Sequence, residues 1–307
     1  MNILCRAFLT PWSDPETGEY ITTGRCNIGA VSLNLPLLWE VSKREKTGFY
    51  TLVKDRFDKI IDFFERRYDI ISETKACTNP LAFCEGGFYN GNLKPDDCIG
   101  SLTTYMTASI GITALHELKE VSGDKDIDKK ILKHLNDWID EAKKRTGHMY
   151  ALYGTPAESL CQTQAKQYNA YVGEDKYEYF TNSFHRHVSE DITPFEKQDL
   201  EEEDFHKVNG GHIQYVRLDN PENLDAVKAI VKRGMEKGFY QGVNFDSAYC
   251  NSCGKHSTNV MFECPHCGSD DLTVISRVCG YLGYSNVNGT TRMNDGKMAE
   301  IRDRKSM

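Results

Sequence analysis

The chain has 307 residues, 39% hydrophobic and 27% charged, enough for a packed core in one large domain or two ordinary ones. No stretch reaches the roughly 18 apolar residues that a membrane helix needs, and Met1 to Pro15 lack the apolar run and small-residue cleavage site of a secretory signal. The net charge of −8 argues against nucleic-acid binding driven by phosphate contacts.

Taken in chain order, the first elements read as follows. Val31, Leu33 and Leu35 alternate with Ser32 and Asn34, which suits an extended segment. Residues 51–73 have the spacing of an amphipathic helix, with Leu52, Phe57, Ile60, Ile61 and Phe64 on one face. Residues 76–101 are rich in Gly, Asn, Pro and Asp and predict a long irregular segment, of the kind that often carries function. A second helix is expected over about 102–121 and a third over about 126–145, the latter facing inward through Ile127, Ile131, Leu132, Leu135 and Ile139.

Further on, residues 148–154 read as a short strand and 155–160 as a helix start with Pro156 at the first helical position. The acidic run over 186–207, with Glu201, Glu202, Glu203 and Asp204 in succession, is expected to be a solvated face. Residues 210–218 form a strand candidate. Asn220 is the expected cap of a following helix that starts at Pro221 and buries Leu224, Val227, Ile230 and Val231.

Eleven cysteines without a secretory signal point to a reducing cytoplasm, where they serve as metal ligands, catalytic thiols or buried small hydrophobes. Cys250, Cys253, Cys264 and Cys267 are spaced Cys-x2-Cys-x10-Cys-x2-Cys. Each pair makes a tight knuckle with both sulfurs on one side, and two knuckles give the tetrahedron of thiolates that Zn²⁺ prefers. Gly254 and Gly268 follow the second cysteine of each pair, where a tight turn favours glycine. Four sulfurs leave no open position, so the metal is expected to be structural. An iron–sulfur or rubredoxin-like iron site is the competing metal reading. His256 and His266 are less regular ligand candidates. Cys77, Cys84, Cys98 and Cys161 show no pairing logic and are expected to be buried thiols.

Gly280 stands thirteen residues beyond Cys267, in the run Arg277 to Gly283 (RVCGYLG). On pattern alone this is a strand with a bulge or a close-approach glycine. Glycine also suits an α-carbon radical, which must become planar between an amide nitrogen and a carbonyl and which a side chain would crowd. The residues that decide between these readings lie upstream and downstream. CRAFLTPW (5–12), GRCNIGAVSLNLP (24–36), GGFYNGNLKPDD (86–97), YGTPAESL (153–160), YFTNSFH (179–185), GGHIQYVRL (210–218) and RMNDGKMAEIRDRK (292–305) accompany the cysteine quartet and the RVCGY run. In that order they resemble the C-terminal half of the anaerobic (class III) ribonucleoside-triphosphate reductases, a family of glycyl-radical enzymes.

The resemblance implies an α/β fold: the C-terminal half of a ten-stranded glycyl-radical-enzyme barrel, with a small four-cysteine zinc ribbon and a radical loop. On that basis 1–245 would be the second half of the barrel with its thiyl finger loop, 246–275 the zinc module, and 276–307 the radical loop and tail. Gly280 matches the radical glycine, charged by a radical-SAM activating enzyme, and Cys5 matches the cysteine that becomes the thiyl radical. Asn27 would face the substrate ribose. Thr155, Pro156, Ala157, Glu158 and Ser159 would seat the triphosphate at a helix N-terminus. His185 and His212 fall in matching motifs but have no ligand spacing and are expected to be structural.

The implied reaction is reduction of ribonucleoside triphosphates to 2′-deoxyribonucleoside triphosphates, with formate or a dithiol system as reductant. The implied partners are the activase, an N-terminal half or a second copy of the chain, and the nucleotide, with no membrane and no nucleic acid. The family's N-terminal half holds the effector site and the first half of the barrel. With only four residues ahead of Cys5, a fragment or one piece of a split enzyme is expected. Two other readings stay open: a glycyl-radical enzyme for another substrate, whose relatives lack the four-cysteine module, and a zinc-binding module or remnant without catalysis.

Overall fold

The structure is a computed structural model. It describes residues 9, 12–14, 17–218, 222–258, 262–278 and 281–305. The chain divides into two compact units. One comprises Met1–Ile112, Asp124–Thr155 and His206–His212, and the other Thr113–Gly123, Pro156–Phe205 and Ile213–Met307.

The first unit is built on a parallel sheet of three strands, Cys26–Leu33, Met106–Ile112 and Met149–Gly154, in that spatial order. Val31 pairs with Ile110, and Ile110 with Leu152. Parallel neighbours need a crossover, and helices supply it. Helix Leu35–Glu45 starts at Asn34, whose side chain accepts the Leu37 N–H at 3.3 Å. Helix Phe49–Ser72 buries Leu52, Phe57, Ile60, Ile61 and Phe64, as its spacing predicts. Tyr68 extends that face. Its single O–H is shared between the carbonyls of Met106 and Met149, each 3.0 Å away, which ties the helix to the entry ends of two strands. Helix Ile127–Thr146 buries the five expected apolar residues and ends at Gly147 in the left-handed region (φ 77°).

The expected helix over 102–121 does not form. Residues Ile99–Tyr105 make a 3₁₀ turn, Met106–Ile112 the central strand, and Leu115–Ser122 a separate short helix. Every residue of that strand is buried. Its sequence alternates Met106, Ala108, Ile110 and Ile112 with Thr107, Ser109 and Gly111, the period-2 pattern of a strand, although both its faces are covered.

In the second unit Gln214–Arg217 and Gln241–Asn244 pair in parallel, with helix Leu224–Glu236 between them in sequence. The helix cap is Asn223, which accepts the Ala226 N–H at 3.1 Å, and not Asn220. Residues 219–221 lie outside the described residues. The inward face is correspondingly shifted: Ile230 is buried against Val216 and Leu218, while Leu224 is exposed. Helix Leu160–Val172 packs Ala165 and Tyr168 on Ala114 and Phe180. A four-stranded antiparallel sheet closes the chain, in the order Tyr281–Asn286, Leu272–Val278, Ser247–Cys250, His256–Thr258, and helix Asp295–Asp303 follows it.

The acidic run forms helix Pro194–Lys207 and is not wholly solvated. Glu201 is fully buried and Asp204 nearly so. The fold is therefore mixed α/β. Its parallel strands, among the described residues, form a sheet of three and a sheet of two without a closed barrel. No helix among the described residues is long and apolar enough to cross a membrane.

Candidate functional site

The cysteine module is made of two knuckles with the same backbone wiring. The Gly254 N–H donates to the Cys250 carbonyl and the Gly268 N–H to the Cys264 carbonyl, each at 2.9 Å. The Cys250 N–H then donates to the Lys255 carbonyl at 3.0 Å, and the Cys264 N–H to the Ser269 carbonyl at 2.8 Å. Each turn closes through a glycine in the left-handed region, at φ 72° and 71°, where a side chain would be strained. Cys250 and Cys264 are buried with Ala248, Leu272 and Val274, while Cys253 and Cys267 are exposed.

The four Sγ atoms lie within 4.8 Å of one another. Cys250 and Cys267 sulfurs are 3.7 Å apart, as are those of Cys253 and Cys264. A tetrahedron with metal–sulfur bonds of about 2.3 Å has edges of ~3.8 Å, so the sulfur cage fits Zn²⁺. Backbone N–H groups of Cys253 and Ser252 favour the Cys250 thiolate and lower its pKa to about 7. Neither His256 nor His266 joins the group; His266 instead directs its backbone N–H at the Cys264 sulfur, 3.4 Å away.

Strand Leu272–Val278 begins in this module and leaves it. Its first half pairs with Ser247–Cys250, Val274 opposite Ala248. Along its length it pairs with Tyr281–Asn286, ending at Val278 opposite Tyr281. Ser276 and Ser285 face each other in the buried layer between those strands, hydroxyls 3.3 Å apart. One strand thus joins the cysteine cage to the hairpin that flanks Cys279 and Gly280. Gly280 itself lies outside the described residues, and so does Cys5.

Asn27 sits at the start of strand Cys26–Leu33, beside a bulge between Asn27 and Gly29. Its amide nitrogen donates to Ser109 Oγ at 2.6 Å, and its oxygen accepts the Gly29 N–H at 2.8 Å. Burial pushes the neighbouring Cys26 thiol up to about 11, against the opposing charge of Arg25.

Residues Thr155–Ser159 precede the helix instead of opening it. The helix starts at Leu160, and Ala157 (φ 56°) and Glu158 (φ 37°) are both in the left-handed region. Pro156 is therefore not at the first helical position. Two successive non-glycine residues of that kind are costly and mark a specially shaped loop.

The histidines behave as expected. His185 is buried with Nδ1 3.2 Å from Glu201, and His212 Nδ1 bonds the Val208 carbonyl. Cys77, Cys84, Cys98 and Cys161 are a mixed outcome. Cys161 is buried, Cys84 half-buried, and Cys77 and Cys98 exposed, because the irregular 76–98 segment leaves its side chains near the surface.

The sequence reading missed Glu201. It accepts from Lys197 Nζ at 2.5 Å and from the Arg186 N–H at 2.9 Å, in addition to its His185 contact. Burial pushes its carboxyl up, but the Lys197 and His185 charges outweigh that and hold it at about 2. The signal was present in the Lys197–Glu201 spacing of four, obscured by the acids that follow.

The class these features define is a mixed α/β protein with a closed four-sulfur metal module. A family model described as anaerobic ribonucleoside-triphosphate reductase matches residues 2–307, and the chain belongs to that family. It is similar to the anaerobic ribonucleoside-triphosphate reductase of Enterobacteria phage T4, 36% identical over 98% of this chain and 52% of the phage protein. It is also similar to that of Escherichia coli strain K12, 31% identical over 98% of this chain and 45% of that protein. The chain thus spans about half the length of the curated relatives it matches. Among solved structures, an anaerobic ribonucleotide reductase matches 91% of this chain and 44% of its own, with TM-score 0.65 and 19% identity. The Thermotoga maritima enzyme with glycerol in its active site matches 83% and 42%, with TM-score 0.62 and 19% identity. At that identity the likeness is one of fold.

Proposed function

We propose that this chain carries the radical-bearing and thiyl-bearing part of an anaerobic reductase that converts ribonucleoside triphosphates to 2′-deoxyribonucleoside triphosphates in the cytoplasm. The observation that carries the reading is the family match over residues 2–307, a range that includes both Cys5 and Gly280.

Gly280 is read as the stored radical, generated by a radical-SAM activase. It hands the radical to Cys5 by taking the thiol hydrogen. The Cys5 thiyl takes the ribose 3′-hydrogen, and the 2′-hydroxyl leaves as water. Two electrons from formate or a dithiol complete the reduction, and the 3′-hydrogen returns. S–H and C–H bonds of similar strength make each transfer reversible, so one radical serves many turnovers.

Asn27, oriented by Ser109 and Gly29, is read as the ribose contact. Thr155, Pro156, Ala157, Glu158 and Ser159 are read as the triphosphate seat ahead of helix Leu160–Val172, whose N-terminus carries partial positive charge. Cys250, Cys253, Cys264 and Cys267 would hold Zn²⁺ as a structural ion, giving strand Leu272–Val278 a fixed base. The parallel strands are read as part of the ten-stranded family barrel. The rest of that barrel, and the effector site, would come from an N-terminal half or a second copy.

The test is an anaerobic electron paramagnetic resonance spectrum of this chain with the N-terminal half of a relative, a radical-SAM activase, S-adenosylmethionine and a reductant. A glycyl doublet lost in Gly280→Ala is expected. Cys5→Ser should keep the doublet and form no deoxynucleotide. Silence in a folded, zinc-loaded assembly would overturn the catalytic reading in favour of a zinc-binding module without chemistry.

A further inference from the structure

Within the second unit, Lys197 of helix Pro194–Lys207, the two short parallel strands, strand Leu272–Val278 and the C-terminal segment surround one small cavity. Six cationic side chains line it: Arg186, Lys197, Arg217, Arg277, Arg304 and Lys305. Among the described residues no carboxylate does. Four of the six are ion-paired to acids that do not line the cavity: Glu190 lies 2.7 Å from Arg186, Glu201 2.5 Å from Lys197, Asp246 3.0 Å from Arg217, and Glu300 3.1 Å from Arg304. Those pairs hold four of the cations in place at the cavity wall.

A second observation is independent of charge. Asn244 lines the same cavity, is only 7% exposed, and its side-chain oxygen has no hydrogen-bond donor among the described residues. A buried acceptor without a donor costs about 1–3 kcal/mol, so such groups are normally partnered by something. The cavity is about 30 Å³, which is roughly twice what one ordered water requires. A nucleoside does not fit; a small oxyanion does.

We propose that this cavity is a binding site for a small oxyanion that carries its own O–H donor, of the hydrogen phosphate class. The guanidinium groups of Arg217, Arg277 and Arg304 receive the charged oxygens, for which their planar donor pairs are suited. The O–H group donates to the Asn244 oxygen. Bound there, the anion links Arg277, on the strand that leads to Gly280, to Arg304 and Lys305 of the C-terminal segment. It would tie the hairpin to the end of the chain by a contact that salt and phosphate concentration adjust.

The probe is inorganic phosphate, titrated calorimetrically into the 307-residue chain at constant ionic strength, with sodium chloride as the blank. One saturable site is expected. Lys305→Gln, at an exposed position, and Asn244→Asp, which sets a carboxylate in the cavity without changing its shape, should each weaken binding at least about tenfold. Circular dichroism and zinc content serve as the folding control. Heat no greater than the chloride blank overturns the proposal, and so does undiminished affinity in folded Lys305→Gln. Adenosine triphosphate separates the sources of the anion. If it displaces phosphate one for one, the occupant is a nucleotide tail and the free-ion assignment falls; if it does not, the free ion stands.

Discussion

At the scale of the residue, the second unit is organised by carboxylates that composition alone would place in solvent. Glu201 is enclosed by Lys197, His185, the Arg186 N–H and Gln214. Glu300 is enclosed by Lys297 at 2.7 Å and Arg304 at 3.1 Å. Removing one partner of a buried pair leaves the other charge without compensation, so Glu201→Gln should cost about 3–5 kcal/mol at pH 7 in urea unfolding. A cost under about 1 kcal/mol, the range of exposed pairs, would show that Glu201 acts as an ordinary surface acid. Glu117 is the opposite case. It accepts from the Thr181 N–H at 2.8 Å and hydroxyl at 2.7 Å, with no cation facing it in those contacts, and burial raises it to about 7.

At the scale of the element, strand Leu272–Val278 and strand Met106–Ile112 depend on different forces. The first takes its lower half from the cysteine module, whose buried apolar interior among the described residues is Ala248, Cys250, Cys264, Leu272 and Val274. A core of that size gains a large share of its stability from metal coordination, which supplies what limited apolar burial does not. Chelation of the metal, or Cys264→Ser, should therefore abolish amide protection in 272–278 and 281–286 while protection in 106–112 persists. Equal loss in both strands, or none in either, would count against that separation. Strand Met106–Ile112 is held by burial instead. Ile110 is completely inaccessible and paired on both sides, so Ile110→Ala should cost about 2–5 kcal/mol in denaturant unfolding.

At the scale of the whole molecule, these buried acids give stability a predictable pH profile. Glu201 and Glu300 titrate near 4.5 when unfolded and near 2 when folded. Between those values the unfolded chain binds more protons, so their contribution is complete above pH 4.5 and is lost as pH falls toward 2. For Glu117 the folded value of about 7 exceeds the unfolded 4.5, so its contribution is complete below 4.5 and is lost as pH rises toward 7. Urea midpoints measured from pH 3 to 8 should show the acid limb flattened in Glu201→Gln and the decline from about 4.5 to 7 removed in Glu117→Gln. An unchanged acid limb in Glu201→Gln would mean that other carboxylates carry acid unfolding. The net charge of −8 gives no hint of this profile, because it counts acids without their surroundings.

The amino-acid sequence by itself determined what depends on local spacing. The Cys-x2-Cys knuckles with their glycines, the inward faces of helices Phe49–Ser72 and Ile127–Thr146, and the strand at Met149–Gly154 follow from spacing alone. The order of separated motifs carried the family assignment. Tertiary structure decided what depends on distant partners. Met106–Ile112 alternates in sequence like a half-buried strand, but the tertiary structure covers both its faces, Thr107, Ser109 and Gly111 included. Glu201 became a buried anion because Lys197 and His185 converge on it, although its neighbours Glu202 and Glu203 reach solvent. The cation-lined cavity gathers side chains that lie as much as 119 positions apart, from Arg186 to Lys305, and no local pattern can encode such a meeting.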